Sequence, residues 1–317
     1  MSLPLGLKSL RISIFNNKMK QIVFLAGLAL LAATSCSNES DNEVINHDAE
    51  VIDSLVPVHV LVNDFISTQE DFPETRTTST PSGYDKVKAM ILAFYDGDTE
   101  VYKTTQLKTT MPEGTNFGEF NLSLPVGSYT MVVLGYGHFD GDELSLTSPT
   151  QAAYTTDHVR ETFSATQKVD VTSTGNVEVS ATLQRIVARL QLISSDVKTD
   201  DAKTIRMTFA AGGKAFNPTT GLATANTGFS NTVSISSKTG ATSNSASYLF
   251  LESNEQTMDV TIETLDDQGK TIRSKVLKDV AFKCNRTTKL TGLLYSTGTS
   301  SSFLLDTDWL EDFTGTF

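Results

Sequence analysis

The sequence predicts an all-β protein with a β-sandwich in each half of the chain. Three observations carry this. Apolar and polar residues alternate at period two along much of the chain, and helical periodicity is scarce. Turn signals such as Asp96-Gly97 and Asp266-Asp267-Gln268-Gly269 separate short runs at the spacing of antiparallel strands. The length of 317 residues suits about two domains. Its 39% hydrophobic content is enough for packed cores.

The N-terminal stretch reads as an address. Met19-Lys20-Gln21 opens a short basic region, and Ile22 to Ala33 is an uncharged apolar run. The run is too short to span a bilayer and fits a signal-peptide core. It ends in Leu31-Ala32-Ala33-Thr34-Ser35-Cys36. Small residues before a cysteine resemble the lipobox of bacterial lipoproteins, in which cleavage precedes the cysteine and the thiol carries a diacylglycerol. The resemblance makes Cys36 the lipidation site, with palmitate-type acyl chains holding the protein to a membrane. Ala33 stands where Leu is commoner, and the plain alternative is a secretory signal with a chance cysteine. Residues 1–35 are therefore expected to be an upstream extension plus signal peptide, with translation starting at Met19. Residues 36–50 open with Ser37-Asn38-Glu39-Ser40-Asp41-Asn42-Glu43 and read as a flexible acidic tether.

The first strand is the clearest. Val56, Val58, Val60 and Val62 alternate with Pro57, His59, Leu61 and Asn63, giving one uniform β-branched face. The polar stretch from Ser67 to Ser82 reads as a long loop. Strands follow at Val87–Tyr95, Val101–Leu107, Phe117–Leu124 and Tyr129–Tyr136. Leu124-Pro125-Val126-Gly127-Ser128-Tyr129 joins the last two as a tight turn, with Pro125 fixing φ and Gly127 permitting a positive φ. Residues 140–160 read as loop, with a short helix near Ala152. The run from Val177 to Leu192 is read as strand, because Arg185, Val187, Arg189 and Gln191 oppose Ile186, Ala188, Leu190 and Leu192. Further strands are expected at Ile205–Phe209, Thr232–Ser236, Ala246–Leu251, Met258–Leu265, Ile272–Leu277, Thr288–Tyr295 and Phe303–Trp309. The domains are expected at 51–178 and 179–317.

Several of these features occur together and in order. They are the lipobox, the alternating first strand and a long polar loop with one arginine. Then come the Leu-Pro-Val-Gly-Ser-Tyr corner, the Leu183-Gln184-Arg185-Ile186-Val187-Ala188-Arg189-Leu190 run, and Asn285-Arg286-Thr287-Thr288-Lys289-Leu290 before Trp309. Together they resemble the fimbrillin superfamily of Bacteroides-type bacteria, which covers stalk, tip and anchor subunits. The resemblance runs over nearly the whole chain from Met19.

That resemblance implies two tandem transthyretin-like β-sandwich domains in a fimbrial subunit of the outer membrane and cell surface. It implies export as a lipoprotein and, in polymerising members, cleavage after an arginine behind the first strand. Arg76, in Pro73-Glu74-Thr75-Arg76-Thr77-Thr78, matches that arginine, and Thr77 would become the new N-terminus. The exchanged strand would be the one carrying Val56, Val58, Val60 and Val62. A neighbouring subunit's strand would replace it, and Phe303, Leu305 and Trp309 mark a candidate donor. The implied partners are other fimbrial subunits and a host or bacterial surface receptor. Stalk, tip and anchor roles remain open.

No enzyme signature is present. His47, His59, His138 and His158 do not cluster, and no His-Glu-x-x-His, Cys-x-x-Cys or Gly-x-Ser-x-Gly occurs. His138-Phe139-Asp140-Gly141-Asp142-Glu143 offers carboxylates to a cation but lacks the full calcium-loop pattern, so a solvated loop is the plainer reading. No cofactor or metal is expected. Cys284 reads as a small buried hydrophobe in a strand. The net charge of −12 argues against nucleic-acid binding. The alternative to a polymerising subunit is a resident surface lipoprotein, either a fimbrial anchor or a carbohydrate-binding module. The single tryptophan counts against the latter.

Overall fold

Strands make up nearly all the regular structure that the computed structural model describes, in residues 55–68, 76–139, 141, 143–296 and 313–316. Among these residues the one helical piece is a 3₁₀ turn at Lys108–Thr110. The first half holds β1 (Val56–Thr68), β2 (Arg76–Ser79), β3 (Ala89–Asp96), β4 (Thr99–Leu107), β5 (Glu119–Leu124) and β6 (Gly127–Tyr136). It continues with β7 (Leu144–Ser148), β8 (Gln151–Tyr154), β9 (Thr162–Val171) and β10 (Val177–Arg185). The second half holds β11 (Ala188–Ser194), β12 (Thr204–Phe209), β13 (Ala215–Phe216), β14 (Phe229–Ser234) and β15 (Asn244–Leu249). It ends with β16 (Glu255–Leu265), β17 (Thr271–Lys283), β18 (Thr287–Gly292) and β19 (Phe313–Thr316).

One sheet runs β2-β1-β10-β9-β6-β3-β4, with β5 paired to β1. β10 meets β9 at only two positions, Gln184 opposite Ser164 and Arg185 opposite Phe163. Beyond them the sheet folds over itself. The valines of β1, Phe120 and Leu124 of β5, and Val179, Ala181 and Leu183 of β10 therefore share a core with Met90, Leu92 and Phe94 of β3 and Met131 and Val133 of β6.

The intervening side chains of β3 and β6 are buried as well. Ile91, Tyr95, Val132 and Leu134 pack against Leu144 and Leu146 of β7, Tyr154 of β8, Phe216 of β13 and Phe250. β3 and β6 thus form an inner pair of strands with apolar contacts on both faces. This explains why β3 is buried at every position except Asp96. A third core lies between the β15-β11-β18-β19 sheet and the β14-β12-β16-β17 sheet.

Strand character along 177–192 is as expected, but the run is two strands. β10 pairs with β1, whereas β11 pairs with β15 and β18, so the change of sheet falls at Ile186-Val187. The expected division at 178/179 lies inside β10. Ala152 sits in β8 and is fully buried, not in a helix. β9 was not anticipated, because only Phe163, Val169 and Val171 mark its inward face within a Thr-, Ser- and Gln-rich stretch. The polar stretch expected as loop from Ser67 contains the end of β1 and all of β2. Cys284 follows β17 directly and is half-buried, and burial pushes its thiol up to about 11.

The turn at Pro125 needs its glycine for a different reason from the one expected. Gly127 has no positive φ; instead, a Cβ there would stand 2.8 Å from the Tyr129 hydroxyl oxygen. That hydroxyl donates to the Pro125 carbonyl at 3.0 Å and closes the corner. Urea denaturation should place Tyr129→Phe about 1 kcal/mol below wild type through the lost hydrogen bond. Gly127→Ala should fall lower, because the ring itself must move. Equal stabilities for the two variants would contradict the contact.

Candidate functional site

The site begins with the period of a strand. Val56, Val58, Val60 and Val62 point inward and are no more than 6% exposed, while Pro57, Leu61 and Asn63 face outward. On one side, Val58–Val62 pairs in parallel with Val177–Ala181 of β10. On the other, Val56–Leu61 pairs antiparallel with Leu124–Glu119 of β5. Among the described residues β5 has no other strand partner, so β1 connects it to the sheet.

A bulge then shifts the inward face. The register with β10 passes from Val62 opposite Ala181 to Asp64 opposite Thr182, leaving Asn63 unpaired. The next inward side chain is therefore Phe65, only 1% exposed. Its ring fills the space above Gly135 of β6, where a Cβ would stand 2.9 Å from Phe65 Cε1 and 3.3 Å from Leu183 Cδ2. Phe163 lies 5.0 Å from the same ring, centroid to centroid, and Tyr84 lies 5.8 Å away. Burying four valines and one phenylalanine contributes on the order of 10 kcal/mol before the entropy of ordering the strand. Any segment that replaced β1 would have to match most of that.

A buried ion pair supports this end of the slot. Arg185 Nη2 lies 2.6 Å from Glu161 Oε1, with side chains 17% and 5% exposed. The Tyr84 hydroxyl donates to the same carboxylate oxygen at 2.6 Å, and Arg185 donates to the Tyr84 oxygen at 3.0 Å. Burial pushes the Tyr84 hydroxyl well above the usual tyrosine range. Burial also disfavours the charge on Arg185, but Glu161, Tyr84 and Tyr248 together more than offset it, and the guanidinium pKa is raised. The guanidinium sits 5.5 Å from the Phe163 ring centre.

On the outer face, His59 reaches both neighbouring strands. Its Nδ1 is 2.6 Å from Glu178 Oε2 of β10, and its Nε2 is 3.3 Å from Glu119 Oε1 of β5. The Glu178 hydrogen bond raises the His59 pKa; partial burial opposes it, and the two carboxylate charges and the Glu119 bond reinforce it.

The four valines expected on the exchanged strand are thus together on one buried face. Arg76 and Thr77 lie at the start of β2, opposite Thr68 and Ser67 of β1. Cys36, Phe303, Leu305 and Trp309 lie outside the described residues. Phe65, Gly135 and the Glu161–Arg185 pair were not anticipated. The bulge takes Phe65 out of step with the valines, and nothing local ties Glu161 to a residue 24 positions away. Among the described residues, no group of three His, Cys, Asp or Glu side chains could hold a metal ion.

A model for a family of unknown function (DUF6562) matches residues 58–316. No curated protein matches the chain. Among solved structures, an adhesin candidate from Bacteroides ovatus is 12% identical, with 70% of this chain and 77% of that one covered and a TM-score of 0.44. The fimbrial anchor protein Mfa2 from Porphyromonas gingivalis is 14% identical, with 70% and 82% covered and a TM-score of 0.44. A candidate polysaccharide-binding protein from Bacteroides thetaiotaomicron is 11% identical, with 78% and 94% covered and a TM-score of 0.45.

Glu161→Gln leaves the Arg185 charge buried without its counter-ion. Chemical denaturation should show a loss of about 3 kcal/mol or more. A loss under about 1 kcal/mol would mean that water already screens the pair.

Proposed function

The chain belongs to this family of unknown function, and we propose that it is a fimbrial subunit of the bacterial cell surface that assembles by donor-strand exchange. The observation that carries this reading is the placement of β1. It lies between β5 and β10, yet it stands at the N-terminal edge of the compact unit formed by residues 51–317. A cut after Arg76 would release β1 and leave β3 to β19 intact. The vacated slot would expose the apolar faces of β3 and β6 and unpaired backbone on both β5 and β10. A strand from a neighbouring subunit supplies both needs, with main-chain bonds giving affinity and alternate side chains giving register.

On this reading the protein is exported as a lipoprotein acylated at Cys36 and reaches the outer membrane. Arg76–Thr77 is the processing site, and residues 303–309 are the candidate donor. The two transthyretin-like sandwiches meet at Ile186-Val187. The role is structural and adhesive rather than catalytic. Its partners are other fimbrial subunits and a host or bacterial surface receptor.

One observation favours a second reading, that of a fimbrial anchor or resident carbohydrate-binding lipoprotein that keeps β1. Arg76 and Thr77 are paired to β1 in a ladder, and a protease must strip its substrate out of such a ladder before cutting.

Intact mass and terminal sequencing of the protein from its native cells separate the two. Polymerisation predicts a chain beginning at Thr77. A chain beginning at acylated Cys36, with β1 retained, would remove strand exchange through this slot and leave the resident lipoprotein.

A further inference from the structure

His59 lies midway along the part of β1 held between two strands, and its ring touches both neighbours. A neutral imidazole has one N–H and one lone pair. Here each ring nitrogen faces a carboxylate oxygen, that of Glu178 at 2.6 Å and that of Glu119 at 3.3 Å. In the neutral ring, one of these contacts would set a lone pair against a carboxylate. Only the imidazolium donates to both.

The surroundings leave this arrangement alone. The shallow cleft around the ring is otherwise lined by Pro57, Val58, Asn121, Leu122 and Asn176, none of which titrates. The other charged side chains on the three strands are Asp64, beyond the bulge, and Arg185, in the buried pair with Glu161. Asn116 donates to Glu119 Oε2 at 2.8 Å, fixing that carboxylate and holding its pKa below the usual range, with help from His59. The His59 side chain is 29% exposed, so protons reach it freely.

We propose that His59 is a pH-operated latch on the first strand: protonated, it ties β1 to both β5 and β10, and deprotonated, it lets β1 open more often. The sign follows from linkage. The folded-state pKa is raised above 6.5. The stabilisation is therefore fully present below about 6.5 and is lost as pH rises through the raised value. Rising pH loosens β1, and acid tightens it. The consequence for assembly rests on the strand-exchange reading, because a looser β1 yields its slot more readily to a donor. The latch itself does not depend on that reading.

Hydrogen–deuterium exchange of the full chain, corrected for intrinsic exchange rates, tests the latch directly. From about pH 5.5 to about pH 9, protection of the Val56–Val62 amides should fall roughly two- to fivefold relative to the β16 amides. His59→Lys keeps a cation there and should hold protection level across that range. His59→Gln should give a level but lower trace. A wild-type trace that parallels β16, or a His59→Gln trace that keeps the wild-type slope, overturns the proposal. Failure of the protein to polymerise at any pH would instead count against strand exchange and leave this result standing.

Discussion

The insertion of β1 between β10 and β5 is the pairing on which the first half of the molecule depends. It is a long-range contact on both sides: His59 meets Glu178 119 positions away and Glu119 60 positions away. β1 closes the sheet over the first core, gives β5 its strand partner, and sets Phe65 against Gly135. Yet this strand lies outside the run from β3 to β19 that builds everything else. A strand that is essential to the core and also separable in sequence is the physical basis of the strand-exchange reading.

The inner layer makes such an exchange mechanically reasonable. β3 and β6 face the β1 slot with Met90, Leu92, Phe94, Met131 and Val133, and face away from it with Ile91, Tyr95, Val132 and Leu134. Losing β1 would uncover the first face only. The second remains packed against β7, β8 and β13, and the core of the second half is separate. The face left open would be apolar, while the other two cores stay packed. The outer face carries the opposite chemistry, with one histidine held between two carboxylates. On the proposed reading, inward burial would set how tightly any occupant is held, and the His59 contacts would adjust the hold on β1 alone.

What the sequence revealed follows from what period-two patterning can report. The valines of β1 sit on a one-sided face, so their alternation was legible, as were the hairpin turns at Gly97 and Gly269, whose φ values are positive. β3 was legible as an unbroken apolar run. The failures share a cause, since each depends on contacts remote in sequence. β9 mixes Phe163, Val169 and Val171 with polar residues whose contacts, Ser164 to Pro218 and Gln167 to Ser180, a local pattern does not show. Ala152 looks helical by propensity, but pairing with Leu146 of β7 and Phe216 of β13 makes it strand. Asn63 hides Phe65 by shifting the inward face one residue. The slot was readable as a strand with an apolar face, but its aromatic end and its charged outer contacts were not.

A reversible staple on β1 tests the central claim most directly. Pro57 and Ser123 are antiparallel partners on β1 and β5, and both face outward. A Pro57→Cys, Ser123→Cys variant closed as a disulfide holds β1 in its slot whether or not the chain is cut after Arg76. After protease treatment, the wild type should form a heat-resistant ladder of oligomers, the treated, oxidised variant should stay monomeric, and reduction should restore the ladder. A ladder of equal extent from the oxidised variant would show that subunits join without β1 leaving its slot, and would contradict the account.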